Sequence, residues 1–230
     1  MSRRAISISD ADGTALIVVL LSMMLLSALG MALSIATSTE TKIAAGYVWS
    51  AQTFYGAETG LGRAVQELAT MTDWTDVLGG GLTSTFIDGA PGMRTLPDGT
   101  ELDLNQATDL VNCGHPSCTS AEMSVRTADR PWGPNNPIWR LYAHGPLATF
   151  GSHGAIDSRV YVVVWVSDDP LENDGRPALD GDDTSGPNPG RGLVQVRAHA
   201  YGPAGSMRAI EATLRRAAAR VRVISWREMR

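Results

Sequence analysis

The chain begins with one long apolar run, and the later pattern is read from that run onward. Residues Thr14 to Ala36 contain no charged side chain. About 20 residues of α-helix cross the hydrocarbon core of a bilayer, so this run predicts a membrane-spanning helix over residues 14–36. If the helix continued to Met71 at ~1.5 Å per residue, it would be roughly 85 Å long.

From Thr37 to Thr72 the apolar positions fall on one side only. Spacings of three and four residues place seven side chains on one helical stripe: Tyr47, Ala51, Phe54, Glu58, Leu61, Val65 and Leu68. We expect this stripe to pack against a head as ordinary core. The Glu58 carboxylate needs a partner, either in the head or in a neighbouring subunit. Gly56 and Gly60 indicate where another backbone approaches closely.

Residues 73–230 have the pattern of a β-rich head, after three glycines at positions 79–81 end the helix. Strand patterns follow at Ala121–Thr127, Ile138–His144, Arg159–Ser167, Leu193–Tyr201 and Met207–Leu214. Residues Arg220 to Trp226 either add a strand or continue as a basic tail. The β-branched and aromatic run Val160–Val166 is typical of a central strand buried on both faces.

These elements predict an α+β fold. A long N-terminal helix over residues 14–72, membrane-spanning and then amphipathic, packs on the antiparallel β-sheet of a head over residues 73–230. The last two strong strand patterns, separated by Gly202–Ser206, indicate an antiparallel hairpin with a long turn.

The formal net charge of -5 is mild and unevenly distributed. Seven acidic residues lie between Asp168 and Asp183, whereas the last sixteen residues contain six arginines. Phosphate binding needs a concentrated basic surface, so we expect no nucleic-acid partner. The two patches either contact neighbours or a cation, or are simply solvated.

Arg3 and Arg4 precede the apolar run. Positive residues ahead of a span hold the N-terminus in the cytoplasm. This predicts a single pass through the inner membrane, with the head in the periplasm. A secretory signal has an apolar core of about 7–15 residues and a small-residue cleavage site. This run is longer and no such site follows it cleanly, so we expect it to stay attached as an anchor.

Cys113 and Cys118 are the only cysteines of the chain. In an exported head, a short-loop disulfide is the leading interpretation. A structural zinc site that included His115 would need four ligands, and the sequence offers no evident fourth.

The segment from Ser167 to Gly192 combines acidic side chains with glycine and proline. Its acidic residues are Asp168, Asp169, Glu172, Asp174, Asp180, Asp182 and Asp183. Such loops can hold calcium, which takes roughly six to eight oxygen ligands, although the spacing does not match the helix-loop-helix calcium motif. A solvated flexible loop is the alternative. Calcium is the one cofactor that the sequence suggests.

Enzyme signatures are absent from the sequence. The four histidines show no HExxH pairing, and there is no nucleophile elbow, phosphate loop or dinucleotide-binding turn. We therefore expect a protein that is not an enzyme.

A short leader ending in Gly13, followed at once by an apolar run and an amphipathic helix, is similar to a type IV prepilin. Four segments carry a closer resemblance to the N-terminal region of the PilX-type minor pilins: Gly13–Ile17, Leu29–Gly30, Thr39–Ala44 and Ala51–Leu61. The likeness covers roughly residues 10–70, and residues 193–216 more loosely.

The resemblance implies a type IV pilin-like fold and a defined path through the cell. A prepilin peptidase would remove the leader, residues 1–13, by cutting between Gly13 and Thr14, and the new amine of Thr14 would be methylated. The mature chain would wait in the inner membrane and then enter a surface pilus, where its apolar helix joins the fibre core. It would prime pilus assembly in a tip complex. The implied partners are other minor pilins, the major pilin, the inner-membrane assembly machinery and a tip adhesin.

Two features depart from the pattern of such proteins. Major pilins carry a glutamate at the fifth mature position, which neutralises the terminal amine of the adjacent subunit, whereas Val18 stands there in this chain. The chain therefore fits a fibre tip better than a repeating shaft. Asp10 and Asp12 interrupt a leader that is usually basic up to the glycine, which counts against the cleavage assignment.

Two alternatives stay open on the sequence alone. One is the tip pseudopilin of a type II secretion system, which also lacks the fifth-position glutamate but usually carries a large helical insertion in its head. The other is an uncleaved single-span anchor with a periplasmic binding domain.

Overall fold

The computed structural model describes residues 9–150, 158–181, 188, 190–217 and 220–229. The first helix, α1, runs from Ser9 to Leu68. The chain divides into two units, Met1–Tyr47 and Val48–Arg230, and α1 contributes to both. The sequence predicts that the helix continues to residue 72. It ends earlier, because tighter turn bonds from the amides of Thr70 and Met71 replace the helical pattern.

The second unit is built around a five-stranded antiparallel sheet. Its strands lie in the order β3-β4-β5-β6-β7, so each pairs with the next in the chain as a meander. They are β3 (Arg140–Pro146), β4 (Tyr161–Asp168), β5 (Leu193–Tyr201), β6 (Met207–Ala217) and β7 (Arg220–Met229). Two short strands, β1 (Met93–Thr95) and β2 (Glu101–Asp103), form a separate antiparallel pair.

Short helices fill the connections. They are α2 (Thr75–Leu78), α3 (Leu104–Cys113), α4 (Ser120–Met123) and α5 (Leu147–Phe150), with single 3-10 turns at Gly133–Asn135 and Pro203–Gly205. The predicted strand at Ala121–Thr127 is wrong. The Thr119 hydroxyl accepts from the Glu122 amide while the Glu122 carboxylate accepts from the Thr119 amide, and this capping box starts a helical turn instead.

Strand β4 is buried along its whole length, which confirms the predicted central strand. Val162, Val164 and Val166 belong to one core cluster, which they share with the buried face of α1. Tyr161, Val163 and Trp165 belong to a second cluster on the other face, which includes Leu104 and Ala107 of α3. The sheet therefore has a helical layer on each side, and this explains why both faces of β4 are apolar.

The face of α1 that packs on the sheet is a line of small and aliphatic residues. Its buried members are Thr53, Gly56, Ala57, Gly60, Leu61, Ala64 and Leu68. A Cβ atom on Gly56 would lie 2.8 Å from Cγ1 of Val160, and one on Gly60 would overlap Cγ1 of Val162. The predicted stripe is therefore displaced, because the closest contacts are made by glycines rather than by large apolar residues.

Two glycines of α1 offer a matched test of this packing. We expect Gly60→Ala to lower the free energy of unfolding by about 1–2 kcal/mol, since overpacking outweighs the gain in helix propensity. Gly62, whose Cβ position has no neighbour within 4 Å, should instead gain up to ~1 kcal/mol on Gly62→Ala. Denaturant unfolding of the full chain in detergent, followed by tryptophan fluorescence, measures both. Effects of the same sign would contradict the packing described.

Candidate functional site

The N-terminal part of α1 exposes apolar side chains in every direction. Val19 is 50% exposed and Met24 is 72% exposed, and the other large side chains of residues 16–35 lie between these values. Within the described ranges, one helix is long and apolar enough to cross a membrane, with a mean hydropathy of 2.6 in its test window. The hydroxyls of Ser22 and Thr37 donate to carbonyls one turn earlier, so they need no water.

The predicted processing residues Gly13 and Thr14 lie within α1. A Cβ atom at Gly13 would have no neighbour within 4 Å. Val18 is 62% exposed, and its backbone carbonyl accepts the Ser22 hydroxyl. The surface at the fifth mature position is thus apolar, while cleavage before Thr14 stays a prediction.

Glu58, predicted as a helix-seam or partner contact, is partly exposed. It makes no hydrogen bond or ion pair within the described part of the head, so a contact with a neighbouring subunit stays a prediction. The carboxylate of α1 that the head does engage is Glu67. It accepts from the hydroxyls of Thr85 at 2.9 Å and Tyr142 at 3.0 Å. Burial and the nearby Glu67 charge raise the pKa of the Tyr142 hydroxyl.

Cys113 and Cys118 form a disulfide, with their Cα atoms 5.8 Å apart. The bridge joins the last residue of α3 to the segment that leads into α4. The imidazole of His115 faces the carboxylate of Glu122, 3.8 Å away. Because both sulfur atoms are used in the disulfide, they do not serve as zinc ligands in this state.

Asp180, one of the predicted calcium ligands, is instead committed to holding the acidic loop in place. One carboxylate oxygen accepts from the amide of Gly192 at 2.6 Å. The other accepts from the amide of Trp74 at 3.1 Å and pairs with the Arg216 guanidinium at 2.9 Å. The same guanidinium lies over the Trp74 ring, 3.9 Å from its centre. Asp180 therefore ties the loop to the segment after α1 and to β6.

Asp168, Glu172 and Asp174 are arranged differently. Asp168 ends β4 and is 0% exposed, and Glu172 is 2% exposed. The Glu172 carboxyl lies within hydrogen-bonding reach of the carboxyls of Asp168 and Asp174. Four buried oxygens of this trio have no hydrogen-bond partner in the structure: Oδ2 of Asp168, Oε1 and Oε2 of Glu172, and Oδ2 of Asp174. We call these three residues the acidic row.

Burial and mutual repulsion act on the acidic row in the same direction. Removal from water raises the pKa of Glu172 to about 10, helped by its two acidic neighbours. Burial likewise raises the pKa of Asp168 to about 7. A full set of negative charges is thus unfavourable here without a positive species beside it.

The other predicted ligands add little to the row. Asp169 is buried, and its carboxylate accepts from the amide of Leu171 at 3.0 Å. Asp182 and Asp183 lie outside the described residues. Within the described ranges, no three His, Cys, Asp or Glu side chains already form a metal-binding group.

The outer face of the sheet carries a charged group that the sequence did not suggest. Glu211 of β6 is 4% exposed and lies between Arg197 of β5 and Arg227 of β7. Its two oxygens accept from the two guanidinium groups at 2.6 Å and 2.5 Å. A cavity of about 770 Å³ opens beside this group, next to Trp132 and Trp139. Cross-strand register, which sequence spacing alone does not fix, creates the arrangement.

The role of Asp180 is open to a direct test. Asp180→Asn leaves the Arg216 guanidinium, which is 17% exposed, without its carboxylate, and we expect a loss of about 2–3 kcal/mol in the free energy of unfolding. Asp76→Asn, at an exposed position of α2, should change it by less than about 0.5 kcal/mol. Chemical denaturation of both variants gives the comparison. Equal effects would mean that the loop is not held through Asp180.

Comparison with known proteins yields no relative for this chain. No family model matches it, and no curated protein or solved structure does. What the structure establishes is an α+β chain with a long apolar N-terminal helix and a five-stranded antiparallel sheet.

Proposed function

We propose that this chain is a minor pilin that primes assembly of a type IV pilus as part of a tip complex. The observation that carries the proposal is α1. Its residues 16–35 are exposed and apolar on all sides, and the same helix continues into the glycine-bearing face that packs on an antiparallel sheet. Together with the resemblance of residues 10–70 to the PilX-type minor pilins, this layout supports a type IV pilin-like fold.

An all-round apolar helix suits both stages of such a life cycle. Lipid tails and a bundle of similar helices are both apolar, so the same surface is satisfied in the inner membrane and in a fibre core. The N-terminus would lie in the cytoplasm and the head in the periplasm before assembly. After assembly the head would be at the cell surface.

Val18 supports a position at the tip. Its exposed apolar side chain offers no charge to the terminal amine of an adjacent subunit, so the chain would make a poor repeating unit. The proposed partners are the prepilin peptidase, the assembly machinery, other minor pilins, the major pilin and a tip adhesin. Glu58, half-exposed on α1, is the side chain we assign to a contact with a neighbouring subunit.

The size of the helices bears on the secretion alternative. A tip pseudopilin of a type II system usually carries a large helical insertion in its head. In the described ranges, the helices after α1 are α3, with 10 residues, and three of 4 residues. This favours the pilus over the secretion system.

The N-terminal residue of the mature protein tests the proposal. Peptide mass spectrometry of cell envelopes and of sheared surface fibres should find a methylated Thr14, at low abundance in the fibres. Gly13→Leu should leave the full-length chain in the membrane, because the peptidase would no longer accept the bond. Gly30→Leu, another glycine of α1 without neighbours, should be processed normally.

An intact Met1 or Ser2 in the wild-type protein, confined to the membrane, would overturn the pilin proposal. It would favour the uncleaved anchor with a periplasmic binding domain.

A further inference from the structure

The acidic row is the part of the head whose chemistry is incomplete. Other buried carboxylates of the head have donors: Glu67 accepts two hydroxyls, Asp180 two amides and a guanidinium, and Glu211 two guanidinium groups. Glu172 is equally buried, yet neither of its carboxylate oxygens has a hydrogen-bond partner. Buried polar groups are nearly always partnered in folded proteins, so this exception indicates a missing ligand.

The loop around Glu172 is firmly built, which makes an accidental exposure of these oxygens a poor explanation. The Asn173 amide donates to the Asn188 carbonyl at 2.9 Å, and the Asn188 amide donates to Oδ1 of Asn173 at 3.0 Å. Gly190 has a left-handed φ of +69° and lies directly against the Glu172 carboxylate, where a Cβ would overlap Oε2. A side chain at position 190 would therefore displace Glu172.

We propose that Asp168, Glu172 and Asp174 bind a calcium ion. The proposal stands on the buried, unpartnered oxygens of Asp168 and Glu172 and does not depend on the pilus assignment. The donors of the row are all oxygens, which suits a hard cation rather than zinc or copper. Calcium tolerates irregular geometry, whereas magnesium demands a near-ideal octahedron and gives up its waters reluctantly. A loop that supplies three carboxylates from β4 and the residues after it favours calcium.

The three carboxyl groups form a row and not yet a cage, as the lack of a ready metal-binding group in the described ranges shows. Binding therefore requires their side chains to turn toward one point, with water or backbone oxygens completing the shell. The ion would join the end of β4 to the loop that Asp180 anchors. An affinity on the order of 10⁻⁴–10⁻³ M, typical of extracellular calcium modules, is expected.

The test compares the full chain in detergent, stripped with EDTA and then returned to calcium or magnesium at equal ionic strength. Calcium at saturation should raise the unfolding midpoint by about 5 °C, and titration calorimetry should give a single saturable site. Magnesium at the same concentration should produce less than half the shift.

Glu172→Gln separates binding from folding. The variant keeps the shape of the side chain and removes a buried charge, so in EDTA it should be at least as stable as the wild type. It should nevertheless lose the calcium shift and bind calcium at least about tenfold more weakly. Asp76→Asn, remote in sequence and exposed, should respond to calcium like the wild type. An absent calcium shift in the wild type, an unchanged shift in Glu172→Gln, or an equal response to magnesium would each overturn the proposal.

Discussion

The close approach of α1 to β4 is the contact on which the rest of the head depends. Gly56 and Gly60 let the helix backbone come so near that the valine methyl groups of the central strand occupy the space where side chains would stand. Each glycine costs the helix up to ~1 kcal/mol relative to alanine. Such a cost in two successive turns is sensible only where close packing returns more than it removes.

This contact also decides how the remaining strands are used. Since α1 covers one face of β4 and α3 covers the other, β4 becomes the buried centre of the sheet. Strands farther from it can then carry charge. Glu211 and its two arginines lie across β5, β6 and β7, where each charge is compensated by its cross-strand neighbour. Burial of carboxylates is therefore a regular feature of this head, and partnering is what makes it tolerable.

Long periodic patterns in the sequence were sufficient for the main elements, and short-range signals were not. The apolar run, the β4 run and the β5–β6 hairpin are all found where they were predicted. Helix α3 was missed, although Asp103 caps its start and Gly114 ends it in a left-handed conformation. Those two residues are visible in the sequence, but the turn-rich composition around them concealed the signal.

The candidate site shows a different limit. Composition marked the acidic loop, but it could not separate Asp180 from the acidic row, because the partners of Asp180 come from distant parts of the chain. Trp74 is 106 residues away in sequence, and Arg216 lies on another strand. Only the fold distinguishes a carboxylate that already has its donors from one that lacks them.

The independence of the head core from the apolar run bears on the proposed role. In the described ranges, the core clusters that contain α1 residues begin at Phe54 and draw on nothing before it. The residues that would leave lipid for a fibre core therefore contribute no side chain to those clusters. A subunit built this way could exchange one apolar environment for another without loosening its sheet, and that property is what extraction from a membrane into a pilus would demand.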